Sequence, residues 1–120
     1  MEGNEYQHKL NDALSKALRD YVSKLEYLNL SRGYRIEIAE LNRVHSIAKI
    51  ESIKLHILLS GKEIDIIVDG ELDLMERKDD GTRGERVEFW VRPAKVKFNH
   101  ETENFDVINV NGFLALDIIR

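Results

Sequence analysis

Between Lys62 and Glu76 apolar residues at the even positions alternate with odd positions that are mostly carboxylates. Ile64, Ile66, Val68, Gly70, Leu72 and Leu74 take the even positions, and Glu63, Asp65, Asp69, Glu71 and Asp73 take most of the odd ones. A period of two held this long specifies an extended strand with one buried face and one wet face. Asp69-Gly70 is a pair that often turns a hairpin. The alternation runs through it, so the pair is expected to mark a bulge or a close backbone contact.

A different period governs the N-terminal part. Tyr6, Leu10, Leu14, Leu18, Tyr21, Leu25 and Leu28 recur every three or four residues, the stripe of an amphipathic helix over residues 5 to 28. Ala13, Ala17, Lys16 and Lys24 are strong helix formers, Asn4 suits an N-cap, and Asp12/Lys16 and Asp20/Lys24 have the i,i+4 spacing of favourable pairs. The helix is expected to stop near Asn29, ahead of Ser31-Arg32-Gly33.

Beyond Gly33 the chain reads as strands and turns. Tyr34, Ile36 and Ile38 open a strand ending near Leu41, and Ile53, Leu55, Ile57 and Leu59 give a second over residues 47 to 59. Ser60-Gly61 then predicts a two-residue hairpin turn, setting Ile57 opposite Ile64, Leu55 opposite Ile66 and Ile53 opposite Val68. Ala48 and Ile50 are out of phase with Ile53, which calls for a bulge near Glu51-Ser52. A helix over residues 36 to 50 competes with this reading through Leu41, Val44 and Ala48. RKDDGTRG, residues 77 to 84, is a polar turn. A fourth strand points Val87, Phe89 and Val91 inward, and Pro93 switches the phase to Ala94, Val96 and Phe98. A fifth carries Ile108, Val110, Leu114, Leu116 and Ile118 inward, with Phe113, Ala115 and Ile119 making its other face apolar too. Such a strand is expected to be covered, by closure of the sheet or by another chain.

These elements give an α+β fold over residues 1 to 120: one long N-terminal helix packed on a curved antiparallel sheet of about five strands, a roll-like meander in a single domain. The order, a helix followed by four or five strands, resembles the cystatin-type and helix-grip rolls. The resemblance is one of topology, without a cystatin inhibitory glycine or valine-rich hairpin motif, and implies no function.

Composition narrows the chemistry. Hydrophobic residues make up 42% and charged residues 33%, too apolar a balance for disorder. With no cysteine, disulfides, thiolate metal sites and cysteine nucleophiles are excluded. The start MEGNEYQHKL lacks the basic and apolar regions of a signal peptide, and no apolar run approaches the roughly 20 residues of a spanning helix. A cytoplasmic protein is expected. The net charge of −4 disfavours nucleic acid as a partner. Charge is nevertheless segregated: six acids and no base lie between Glu63 and Glu76, whereas five bases and two acids lie between Arg83 and Lys97.

Three constellations stand out. Asp69, Glu71 and Asp73 could attract a divalent cation, but residues on one face of a strand stand roughly 6–7 Å apart and cannot converge on one ion; no metal and no cofactor is implied. His56 and Asp65 would face each other across the predicted hairpin, a weak polar pair with no nucleophile to complete a catalytic unit. Trp90 and Arg92 share the outer face of the fourth strand, a residue pair enriched at protein interfaces. That strand would also neutralise the acidic strand before it. With Phe113 and Ile119 on the last strand, Trp90 and Arg92 are the candidate interface residues. The sequence therefore points away from an enzyme, towards a protein-binding module that self-associates through its sheet and blocks or sequesters a partner protein. The alternative is a roll holding a small ligand, or hydrolysing it, between helix and sheet, with Tyr6, Tyr34 or Glu40 as inward polar groups.

Overall fold

A computed structural model of the chain describes residues 2–47, 52–78 and 81–119. Its first element, α1 (Glu2–Ser23), forms over the predicted stripe and buries Leu10, Leu14, Leu18 and Val22. Each buried leucine or valine contributes about 1.5–3 kcal/mol. Glu5 and Lys9 (3.8 Å) and Gln7 and Asn11 (2.8 Å) join successive turns on its outer side. Asn4 lies inside this helix, so it is not the cap. The helix also ends earlier than the stripe suggests: Leu25 and Leu28 lie beyond it, and Leu28 is buried on a short strand, β1 (Tyr27–Asn29). Hairpin pairing across the turn at Ser31-Arg32-Gly33 wins over the helical period there, as β1 runs antiparallel to the start of β2 (Arg35–Ile47).

Residues 52–58 correct the sequence reading. They form a helix, α2 (Ser52–Leu58), in the connection from β2 to β3 (Ile64–Lys78). A hairpin at Ser60-Gly61 therefore does not exist, nor does the register built on it. Alternation and helical spacing both fit a short apolar run. The helix wins by burying Leu55 and Leu58 while Ile57 stays 46% exposed. Gly61 is the helix stop: with φ at 85° it donates its N–H to Leu58 O at 3.1 Å, a left-handed terminal glycine. The bulge expected near Glu51, with Ala48 and Ile50, falls outside the described residues.

The long alternating segment is a strand as expected, β3, paired along its length with β4 (Gly81–Asn99). Ile66, Val68, Leu72 and Leu74 face inward and are buried, as are Val87, Phe89 and Val91 on β4. Gly70 pairs regularly with Phe89, and the irregularity sits instead between Ile66 and Val68. The extra residue there belongs to β4, at Arg92-Pro93, whose peptide bond is cis. Past it Ala94, Val96 and Phe98 are buried, the predicted change of phase.

The expected fifth strand is two strands, β5 (Asn104–Asn109) and β6 (Phe113–Ile118), lying end to end along one edge of β4. Between them Gly112 O accepts a hydrogen bond from Arg92 N at 3.0 Å. A Cβ on Gly112 would come within 2.5 Å of the Arg92 carbonyl carbon, so this close approach requires glycine. The break resets the faces. Phe113 and Ala115 point inward, while Ile108 and Leu114, expected in the core, are exposed.

Among the described residues the architecture is α+β: a long and a short helix with an antiparallel sheet of six strands in the order β1-β2-β3-β4, then β5 and β6 together. The sheet is strongly curled. α1 packs against both flanks, β2 and β5, and a single parallel bridge from Leu30 to Ala115 brings the first and last strands together. The covering expected for the last strand is thus supplied in part by the chain itself, with Ser31 N donating to Ala115 O at 2.9 Å. No described helix is long and apolar enough to cross a membrane.

Candidate functional site

The buried alternation of β3 and β4 dictates what the opposite face displays. Outward on β3 stand Asp65, Ile67, Asp69, Glu71 and Asp73; outward on β4 stand Arg86, Glu88, Trp90, Arg92, Lys95 and Lys97. The pairing sets Asp65 beside Lys95, Asp69 beside Trp90, Glu71 beside Glu88 and Asp73 beside Arg86. The acidic and basic segments of the sequence therefore become neighbouring columns on one surface.

Ion pairs join the columns. Arg86 Nε lies 2.8 Å from Asp73 Oδ1 and 4.0 Å from Glu71 Oε1, and Arg92 Nη2 lies 3.6 Å from Asp69 Oδ1. The hydrogen bond to Asp73 holds the Arg86 guanidinium above its ordinary pKa. Asp69, Glu71 and Asp73 are thus held by arginines. No cluster of three or more metal-ligating side chains occurs among the described residues.

Trp90 sits in the middle of this face, half-buried between Asp69 on β3 and Leu114 on β6. The Arg92 guanidinium carbon is 3.5 Å from its ring centroid, a stacked cation–π contact worth about 0.5–1 kcal/mol at an exposed site. Ile67, opposite the Arg92-Pro93 bulge, is 58% exposed, and Leu114 is 37% exposed. Ile108 projects from the β5 bulge beside Lys95 and is also exposed. An aromatic ring clamped by arginine is therefore bordered by aliphatic side chains on adjacent strands, inside a rim of paired charges.

The other predicted site residues are scattered. Phe113 belongs to the inside: its ring stacks on Phe89 at 5.5 Å and meets Tyr21 of α1 at 5.4 Å. The phase reset at Gly112 accounts for this. Ile119 is exposed, but its N–H donates to Arg86 O, four residues along β4 from Trp90 and so roughly 13 Å away. His56 is exposed on the last turn of α2 and Asp65 lies on the outer face of β3. With the hairpin gone, nothing sets them opposite each other. Ile67 and Leu114 were not singled out from the sequence. An apolar residue at an odd position of the acidic row was the signal for Ile67, whereas Leu114 required the break at Asn111-Gly112 to be recognised.

A groove of about 410 Å3 runs between α1 and β5, lined by Asp12, Lys16 and Asp20 on the helix and Asn104 and Asp106 on the strand, over Ala13, Ala17, Phe105 and Val107. Tyr6, Tyr34 and Glu40 take no part in it. Tyr6 packs edge-on against Phe98, and Tyr34 and Glu40 are exposed. No protein-family model, no curated protein and no solved structure matches this chain.

Proposed function

We propose that this chain is a non-catalytic, cytoplasmic protein-binding module. It associates through the outer face of its sheet, with itself and with a partner protein that it blocks or sequesters. One observation carries the reading: Ile67, Trp90 and Leu114 project outward from three adjacent strands, with Arg92 stacked on the tryptophan. Trp and Arg dominate binding energy at interfaces when aliphatic neighbours exclude water around them. The charged rim suits orientation more than affinity. The small-ligand alternative rests on the groove between α1 and β5, an open surface feature whose polar lining is aspartates, a lysine and an asparagine.

A photo-crosslinking amino acid at position 67 tests the proposal in cells expressing the chain, with the same group at Glu103, in the turn before β5, as control. Crosslinking to protein is expected from position 67 and not from position 103. No protein adduct at position 67, or equal yields from both, would remove the basis of the reading.

A further inference from the structure

We infer that the outer face of β3 and β4 is the contact surface of a two-fold homodimer whose axis runs along these strands, so that Asp65 of each copy lies against Lys95 of the other. The inference rests on the reading of this face as a protein-binding surface and names the partner as a second copy. It follows from how charge is laid out. β3 displays Asp65, Asp69, Glu71 and Asp73, whereas β4 displays Arg86, Arg92, Lys95 and Lys97 with Glu88 as its one acid. The columns run lengthwise, each parallel to its strand.

Two copies meeting through the same face have a two-fold axis in the plane between them, and each contact is made twice. An axis across the strands lays β3 on β3 and sets acid against acid, which disfavours the contact strongly where like charges come close. An axis along the strands exchanges the columns and keeps the rows. Asp65 then faces Lys95, Asp73 faces Arg86, and Asp69 comes to the middle of the partner's β4, at Trp90 and Arg92. Glu71 over Glu88 is the single like pair. Ile67 settles over the partner's Arg92-Pro93 bulge, opposite which it already stands in its own chain.

Shape gives such a contact length. The chain measures 50 × 23 × 23 Å, and 15 residues of β3 extend about 50 Å at roughly 3.3 Å per residue. The long axis is therefore the strand direction, and either two-fold lays the copies together along it, so charge alone chooses the axis that runs along the strands. Strand directions stay aligned across the contact, the common arrangement for sheets packed face to face.

Charge reversal tests the pairing in the full chain. The wild type is expected to sediment as a dimer, and Asp65→Lys and Lys95→Asp each to raise the dimer dissociation constant at least tenfold. An equimolar mixture of the two variants restores a dimer, read as a mixed species by native mass spectrometry. In the mixed pair each of the two symmetry-related contacts again joins one lysine to one aspartate, whereas either variant alone sets like charges together. Pairing confined within one chain gives no rescue on mixing. Circular dichroism checks folding, and should either reversal unfold the chain, Ile67→Arg replaces it and is expected to give a monomer. A mixture that stays monomeric, reversals that stay dimeric, or an Ile67→Arg dimer would overturn the inference. A wild-type monomer would overturn it as well, while crosslinking of position 67 to a different protein would leave the binding reading standing.

Discussion

The β3–β4 ribbon and the strands on either side of it obey different rules. Along the ribbon, residues pair one for one from Lys78 back to Val68, and a single irregularity interrupts the register. Along β2 the register slips three times between Ile38 and Ile47, so that Ile38, Leu41, Val44 and Ile47 meet Glu76, Leu74, Leu72 and Gly70. Three residues of β2 repeatedly match two of β3. On the far side β5 and β6 are separated by a turn and each carries a slip of its own. Extra residues bend a strand and increase its twist, so the flanks supply the curl that lets one helix touch both of them. The regular ribbon is left as the outward ridge, with its charge columns in register and Trp90 at its centre. Regularity builds the surface, and irregularity builds the enclosure.

The largest expected effect separates the two periods where they compete, at residues 52–58. If the helix governs, Leu58→Ala removes a fully buried side chain and lowers stability by about 2–5 kcal/mol. Ile57→Ala, at an exposed position, costs less than about 1 kcal/mol. The strand period predicts the reverse order, since it points Ile57 into the core. Urea denaturation of the two variants decides between them, and a larger loss for Ile57→Ala would mean that α2 is wrongly placed.

This contrast explains what could be read from the residues alone. Strict alternation survives only where pairing is one for one, and there the inward set Ile66, Val68, Leu72, Leu74, Val87, Phe89 and Val91 was legible position by position. The N-terminal helix was legible over Leu10, Leu14 and Leu18, where no other period competes, but not at its end, where Leu25 and Leu28 continue the stripe beyond Ser23. Along β2 each bulge adds a residue, turning a period of two into a spacing of three. That spacing is also close to a helical one, which is why a helix over residues 36 to 50 competed with a strand. Asn111-Gly112 carried a turn signal inside what otherwise read as one apolar strand, and missing it inverted the faces of Phe113 and Leu114. Of the candidate site, Trp90 and Arg92 lay in the legible ribbon. Phe113 and the His56/Asp65 pairing depended on the irregular parts.

A smaller loss should follow at the junction of the two regimes. Gly112→Ala forces a methyl group against the Arg92 backbone, where no side chain can swing aside. A cost of about 1–3 kcal/mol is expected for such overpacking, a fall in Tm of roughly 5–15 °C for a chain of this size. Gly33→Ala makes a sharper comparison. Gly33 has φ of 80° and open space around it, so the substitution carries only the left-handed penalty of about 1–2 kcal/mol. Scanning calorimetry should rank Gly112→Ala at or below Gly33→Ala in Tm. A clear inversion of that order would mean that the β5–β6 turn does not press on the Arg92-Pro93 bulge.

The smallest change in stability, and the one that bears most on function, is expected from Trp90→Ala. The indole stands on the ridge, outside the core formed by Val87, Phe89 and Val91, and its main attachments are the stacked Arg92 guanidinium and the row shared with Asp69 and Leu114. Losing them should lower stability by no more than about 1–2 kcal/mol, against about 3–5 kcal/mol for a tryptophan in a core. The far-ultraviolet circular dichroism should be unchanged. Association should weaken in the same variant, because the residue that excludes water at the centre of the face is gone. The chain has one tryptophan, so the wild type reports on this directly: its emission should move to longer wavelength on dilution as Trp90 meets solvent. A loss of folding in Trp90→Ala, or emission indifferent to concentration while the mass changes, would place the ring or the contact elsewhere.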